Sequence, residues 1–191
     1  MLTPLSEADL ITYVPVLRTL SRAYHFDKAA LLANRDGRLT NAQTWRVRAQ
    51  SIGDVIGAVI LATLALVFVA FGLQRPVTAG TLAFTLFAAT LCGGLAWACK
   101  DSYRRKTADI RDGQVGAADV RVGLFQLRSS RTGVTQYGLT FDGVDQIVSK
   151  ATYDAVIETI DYRVYRLPHS RRIVAVEPKL LVERSLDDVT F

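Results

Sequence analysis

Two uninterrupted apolar runs govern what this chain can become. Residues 55–73, "VIGAVILATLALVFVAFGL", hold no ionisable side chain, and neither do residues 77–99, "VTAGTLAFTLFAATLCGGLAWAC". Each run is about 20 residues long, which at roughly 1.5 Å per residue covers the ~30 Å hydrocarbon core of a bilayer. Core helices of globular proteins are usually shorter and carry a polar stripe, and a secretory signal sits at the very N-terminus. The 191-residue chain therefore reads as a membrane protein with two transmembrane helices, and its mean hydropathy of +0.20 reflects these runs.

Between the runs stands "QRPV", where Pro76 blocks helix continuation and the short loop makes the two helices antiparallel neighbours. The expectation is a transmembrane hairpin over residues 52–99, with spans at about 53–73 and 77–99. Arg35, Arg38, Arg46 and Arg48 precede the first span, Lys100, Arg104, Arg105 and Lys106 follow the second, and Arg75 alone lies in the connection. By the positive-inside rule both termini are cytoplasmic. Lys100, Arg104, Arg105 and Lys106 are the candidate contacts for anionic lipid headgroups. The formal charge of +5 divides into +2 before the first span, +1 in the connection and +2 after the second, so no segment has the basic concentration that nucleic-acid binding requires.

Small residues mark where the helices meet. Gly53 and Gly57 form a GxxxG pair at one end of the first span, while Ala88, Cys92 and Ala96, with Gly93 beside them, put small side chains on the second. Such residues let helix backbones approach closely where lipid supplies no hydrophobic drive. Packing within the hairpin is the simplest use, and a second protomer or a larger complex would use the same surface. Asp54, between the glycines, either faces a partner or stays hydrated at the membrane edge. Cys92 and Cys99 lie seven apart without a histidine partner and read as small hydrophobes, so no metal or cofactor is expected.

Residues 1–51 read as an N-terminal helical segment. Ser6 with Asp9 is a weak helix start, followed by Leu10, Val14, Leu17 and Tyr24 at helical spacing, with Pro15 interrupting. One amphipathic helix or two short ones are expected, lying near headgroups with Tyr13, Tyr24 and Phe26, or packed on a partner protein. "NRDG", residues 34–37, has a calcium-loop flavour, with Asn34 and Asp36 as oxygen ligands around Gly37. The flanking loop positions are Leu32 and Gln43, so the leading carboxylate and the closing glutamate are missing. A corner between helices accounts for more residues: Gly37 suits left-handed backbone, and Thr40 with Gln43 forms a capping box from which a helix runs past Trp45 into the first span.

Beyond the second span, residues 100–113 continue as a basic juxtamembrane helix, and residues 114–191 change character. Alternation through Val120, Val122 and Leu124 passes to Phe125 and Leu127, so Gly123 is expected to mark a bulge. Thr135 to Phe141 alternates again, and Asp142-Gly143 is a two-residue hairpin signal before "VDQIVS". A short helix around Tyr153 to Glu158 follows, then the hairpin of "YRVYRL", "PHSR" and "IVAVEP". The fold class is thus α+β: a transmembrane hairpin, N-terminal cytoplasmic helices, and a small cytoplasmic β-barrel or sandwich.

Chemistry is sparse. His25 and His169 lie in different regions, and a His169–Asp161–Ser170 nucleophilic site would need neighbours on one turn to meet a demanding geometry. Glu177 is expected in a surface ion pair. Arg163, Arg166, Arg171 and Arg172 in the last hairpin suit an anionic ligand or partner, or simply protect exposed strands. "ANRDGRLTNAQ", the two spans and "YRVYRLPHSRRIVAVEP" together resemble an uncharacterised group of bacterial two-span membrane proteins with a C-terminal cytoplasmic β-domain. The resemblance covers most of the chain beyond roughly the first twenty residues and implies a layout in the bacterial inner membrane; it carries over no functional residue. The expected function is a non-enzymatic accessory or scaffold protein of a larger membrane complex, with a sensor of anionic ligands as the alternative.

Overall fold

The computed structural model describes residues 6–74, 78–131, 133–182, 186 and 189, so Arg75 and Pro76 of the connection lie outside the described residues. In chain order the elements are helices α1 (Glu7–Tyr24), α2 (Lys28–Arg35), α3 (Asn41–Gln74) and α4 (Ala79–Asp112), then strands β1 (Gly116–Arg128), β2 (Thr135–Phe141) and β3 (Val144–Val148), helix α5 (Lys150–Ala155), strands β4 (Asp161–Arg166) and β5 (Ile173–Pro178), and a closing 3-10 turn (Lys179–Leu181). The chain is α+β and divides into two compact units. One joins Met1–Gln43 to Gly113–Phe191; the other is Thr44–Asp112. The sequence treats 1–51 and 114–191 as separate segments, whereas here the N-terminal helices and the sheet are one body.

That body is built on an antiparallel sheet of order β3-β2-β1-β4-β5. The long strand β1 changes partner midway, pairing with β4 through residues 116–121 and with β2 through residues 122–128. Strand twist accumulates along so long a ribbon, and the partner change lets the sheet curl. The outer strands β3 and β5 do not pair with each other among the described residues, so the expected barrel or sandwich is instead one open, curled five-stranded sheet. Gly123 stays in register opposite Thr140, next to the partner change. The bulge expected there occurs at Tyr165/Arg166, where β4 slips against β5. Asp142 and Gly143 both adopt positive φ, 51° and 74°, the backbone that a tight hairpin of this twist demands.

Helix α1 lies on β5 and α5. Its stripe of Val14, Leu17 and Leu20 is buried, and Leu17 and Leu20 are completely so; the side chain of Leu10 lies outside the described residues. The helix runs straight through Pro15, which is exposed. The carbonyl that Pro15 leaves without a backbone donor belongs to Ile11, itself open to water, so continuation is tolerated. The stripe covers the sheet rather than a headgroup layer. Helix α5 starts three residues before the expected position because Ser149 caps it, accepting from the Thr152 N–H.

The corner at residues 36–40 is as read. Gly37 has φ of +73°, and the capping box forms, with Thr40 N–H donating to Gln43 Oε1 (3.1 Å) and Gln43 N–H to Thr40 Oγ1 (3.3 Å). The corner is also laced to the returning chain: Val115 N–H donates to Gly37 O (2.9 Å) and Leu39 N–H to Gly113 O (3.0 Å). On the sheet, the Phe125 ring lies over Gly138 directly across from it, and a Cβ at Gly138 would sit 2.1 Å from the ring. Gly138→Ala should therefore lift Phe125 off the sheet and cost about 1–3 kcal/mol, read from thermal unfolding of the full chain in mild detergent, with Phe125→Leu in the same chain recovering part of the loss.

Candidate functional site

Glu177 on β5 is a carboxylate fully buried in the mixed α/β unit. Both of its oxygens are taken by Arg35, the last residue of α2: Nε donates to Oε1 at 3.1 Å and Nη2 to Oε2 at 2.6 Å. Arg35 Nη2 also donates to the Leu181 carbonyl at 2.7 Å, and the Tyr165 hydroxyl donates to Glu177 Oε1 at 2.6 Å. Burial, and then the adjacent Glu177 charge, push the Tyr165 hydroxyl far above its ordinary pKa, so it remains a neutral donor. The side chain of Arg35 is 11 % exposed. The surface ion pair expected for Glu177 is thus a buried, bidentate one. Its position follows from α2, whose N-cap Asp27 accepts from the Ala30 N–H, and from the cross-strand pairing of Tyr165 with Ala175, which puts Tyr165 and Glu177 on one face of the sheet.

The arginines of the last hairpin are largely engaged. Arg163 grips Asp119 with Nε (2.6 Å) and Nη2 (3.0 Å), and Lys179 adds a third contact at 3.2 Å. The Arg163 hydrogen bond, with Lys179 beside it, holds the Asp119 carboxyl at about 2, below its ordinary 3.8. Arg166 ties β4 to the β2–β3 turn through Asp142 (3.2 Å) and the Phe141 carbonyl (2.7 Å). Arg171 sits at positive φ (57°) in the β4–β5 turn with its side chain exposed, and Arg172 is half-buried. His169 belongs to that turn, while Asp161 opens β4 and pairs with Arg121. The five steps of β4 separate them by about 17 Å at ~3.3 Å per residue, too far for a triad. In the corner, Asn34 is buried within α2 while Asp36 accepts from Arg38 at 3.0 Å, so the two oxygens do not share a loop.

The helical unit has the opposite grain. Its shielded positions on α3 include Asp54, Gly57, Leu61, Ala65, Phe68 and Gly72, and on α4 Thr81, Thr85, Ala88, Cys92, Ala96 and Cys99, each set at three- and four-residue spacing. These faces meet in inverted order. Asp54 Oδ2 accepts from Lys106 Nζ (2.7 Å) and Ser102 Oγ (2.9 Å), a Cβ at Gly57 would lie 3.7 Å from Cys99 Sγ, and the Phe68 and Phe84 rings stand edge to face at 6.0 Å. The helices are antiparallel. Outside stand the large apolar groups: Leu66 is 71 % exposed, Trp97 70 % and Phe87 66 %.

Of the expected packing residues, Ala88, Cys92 and Ala96 lie on the shielded face and Gly57 meets Cys99. Gly53 and Gly93 face open space, so GxxxG does not act as a pair within this unit. The tightest approach at a described glycine of this unit is at Gly72, where a Cβ would sit 2.6 Å from Thr85 Oγ1; with no small residue four positions away, Gly72 carries no motif in the sequence. Asp54, its side chain still partly exposed, closes an interhelical ion pair. Of the four candidate headgroup contacts, Lys106 is in that pair and Arg105 pairs with Asp101 at 2.7 Å, while Lys100 and Arg104 are exposed.

Comparison with protein-family models, curated proteins and solved structures finds no match to this chain.

The buried pair was missed because Arg35 and Glu177 are 142 residues apart, although a lone carboxylate in the apolar strand "IVAVEP" was a signal that it needed a partner. Glu177→Ala or Arg35→Ala should each destabilise the folded state by about 3–5 kcal/mol, since each leaves a buried charge alone, and the double variant by less than the sum. Tyr165→Phe should cost about 1.5–3 kcal/mol. Thermal unfolding in detergent reads all four. Because the folded-state pKa of Asp119 is depressed, its contribution is present above about pH 4 and lost as pH falls towards 2. Asp119→Asn should flatten the stability profile in that window and leave its neutral limb parallel to wild type.

Proposed function

We propose that this chain is a non-enzymatic integral membrane protein, anchored by α3 and α4 as a transmembrane hairpin, whose mixed α/β unit serves as an accessory or scaffold subunit of a larger membrane complex. The observation that carries the anchor is the inverted side-chain pattern of the helical unit. Small and polar groups, with Leu61 and Phe68 as the larger exceptions, line the helix–helix seam, while valines, isoleucines, leucines, phenylalanines and Trp97 face outward from Ile52 to Phe71 of α3 and from Leu82 to Trp97 of α4. Water would make such a surface a site of aggregation, and a bilayer makes it a solvent-matched one. Both helices are long and apolar enough to cross a membrane.

The sidedness has its own support. Arg35 precedes both helices and Glu177 follows them, and their buried pair requires the two flanking segments to occupy one compartment. The distribution of Lys and Arg favours the cytoplasm as that compartment, at the inner membrane of a bacterium. The accessory role draws on the residues that chemistry would need: His169 and Asp161 stand at opposite ends of β4, and Arg163 and Arg166 are held by carboxylates of the same unit.

In membrane preparations the chain should stay in the pellet after alkaline carbonate, and reporters fused to either terminus should both report the cytoplasm. Release by carbonate, or reporters on opposite faces, would overturn the anchor. Purification in mild detergent should bring down a stoichiometric companion, and a chain that runs alone would overturn the accessory role while leaving the anchor intact.

A further inference from the structure

Four cations follow the second apolar run, and the structure divides them. Arg105 and Lys106 are paired with Asp101 and Asp54. Lys100 and Arg104, one helical turn apart on α4, are exposed and have no side-chain ionic partner among the described residues. Lys100 also lines an apolar groove of about 470 Å³ between α3 and α4, whose walls include Val55, Val59, Ala62 and Trp97, with Tyr103 at the charged end.

We propose that this groove is a binding site for one anionic phospholipid, with the phosphate held between Lys100 and Arg104 and an acyl chain laid along Val55, Val59 and Ala62. The inference rests on the membrane-anchor reading. Charge, length and an aromatic ring fix the occupant. Asp54 at the groove end is already neutralised by Lys106, which leaves the two unpaired cations to set the sign of the headgroup. From Asp54 to Ala62 the groove extends about 12 Å at ~1.5 Å per residue, close to the ~15 Å of a single leaflet. A partner's transmembrane helix would call for a seam through the full ~30 Å, whereas a lipid tail uses one leaflet. Tyr103, at the charged end, supplies the amphipathic ring favoured at the headgroup level.

The test uses the full-length protein, extracted in mild detergent and titrated with phosphatidylglycerol or phosphatidylcholine, with retained lipid counted by native mass spectrometry. One phosphatidylglycerol per chain should be retained, in preference to phosphatidylcholine by about tenfold or more, since each cation near the surface is worth about fivefold. Lys100→Gln with Arg104→Gln should abolish the preference. Ala62→Phe, which fills the groove and keeps both cations, should abolish retention, and added inorganic phosphate should not compete. Equal retention of the two lipids, unchanged preference in the charge variant, or unchanged retention in Ala62→Phe would each overturn the site. So would a second copy of the chain found in place of lipid. Flotation with mixed vesicles separates the two levels: a chain that fails to float defeats the anchor itself, and one that floats without lipid preference defeats only this site.

Discussion

The Arg35–Glu177 pair is the constraint on which the rest of the molecule turns. A carboxylate wholly removed from water is tolerated only when an opposite charge and further hydrogen bonds saturate it, and here the guanidinium fork, the Tyr165 hydroxyl and the Leu181 carbonyl complete that set. Because its partners come from before α3 and after α4, the pair makes one folded unit out of two stretches that the apolar helices keep far apart in the chain. The covering of β5 by α1, the docking of Gln43 Nε2 on the Val174 carbonyl, and the lacing of residues 37–39 to 113–115 all act in the same sense.

Much of this architecture is legible in the residues, and what is legible is local. The capping box at Thr40 and Gln43, the hairpin at Asp142-Gly143, the five strands and the end of α4 before Gly113 follow from interactions spanning a few positions. What escapes is contact over distance. Periodicity shows that Val14, Leu17 and Leu20 form a face, but the sheet that covers it lies more than a hundred residues on, so headgroups and a partner protein stood as equal candidates. Gly123 is the irregular position on sequence because a glycine interrupts the alternation there, yet the slip occurs opposite Tyr165/Arg166, where β5 carries the extra residue Val174. The same limit governs the helices: GxxxG names a motif, but which glycine touches a neighbour depends on helix rotation, and Gly72 rather than Gly53 makes the close approach.

The two units follow opposite rules of solvation. In the mixed α/β unit the core is conventional, with Leu139, Phe141, Tyr162 and Val176 removed from solvent. In the helical unit the seam is built mainly of alanine, glycine, threonine and cysteine, and most of the bulk lies outside. Such a seam gains little from the hydrophobic effect and depends on close approach and on the Asp54–Lys106 contact at one end. A single chain thus holds two patterns of burial, bulk inside in one unit and bulk outside in the other.

The 142-position gap between Arg35 and Glu177 also has a consequence in time. At about 5–20 residues per second of translation, roughly 7–28 s pass between the emergence of one partner and the other. Throughout that interval Leu17 and Leu20 have no strand to rest on. The apolar stripe of α1 stays uncovered for that time, and the last strand to be synthesised is the one that closes it.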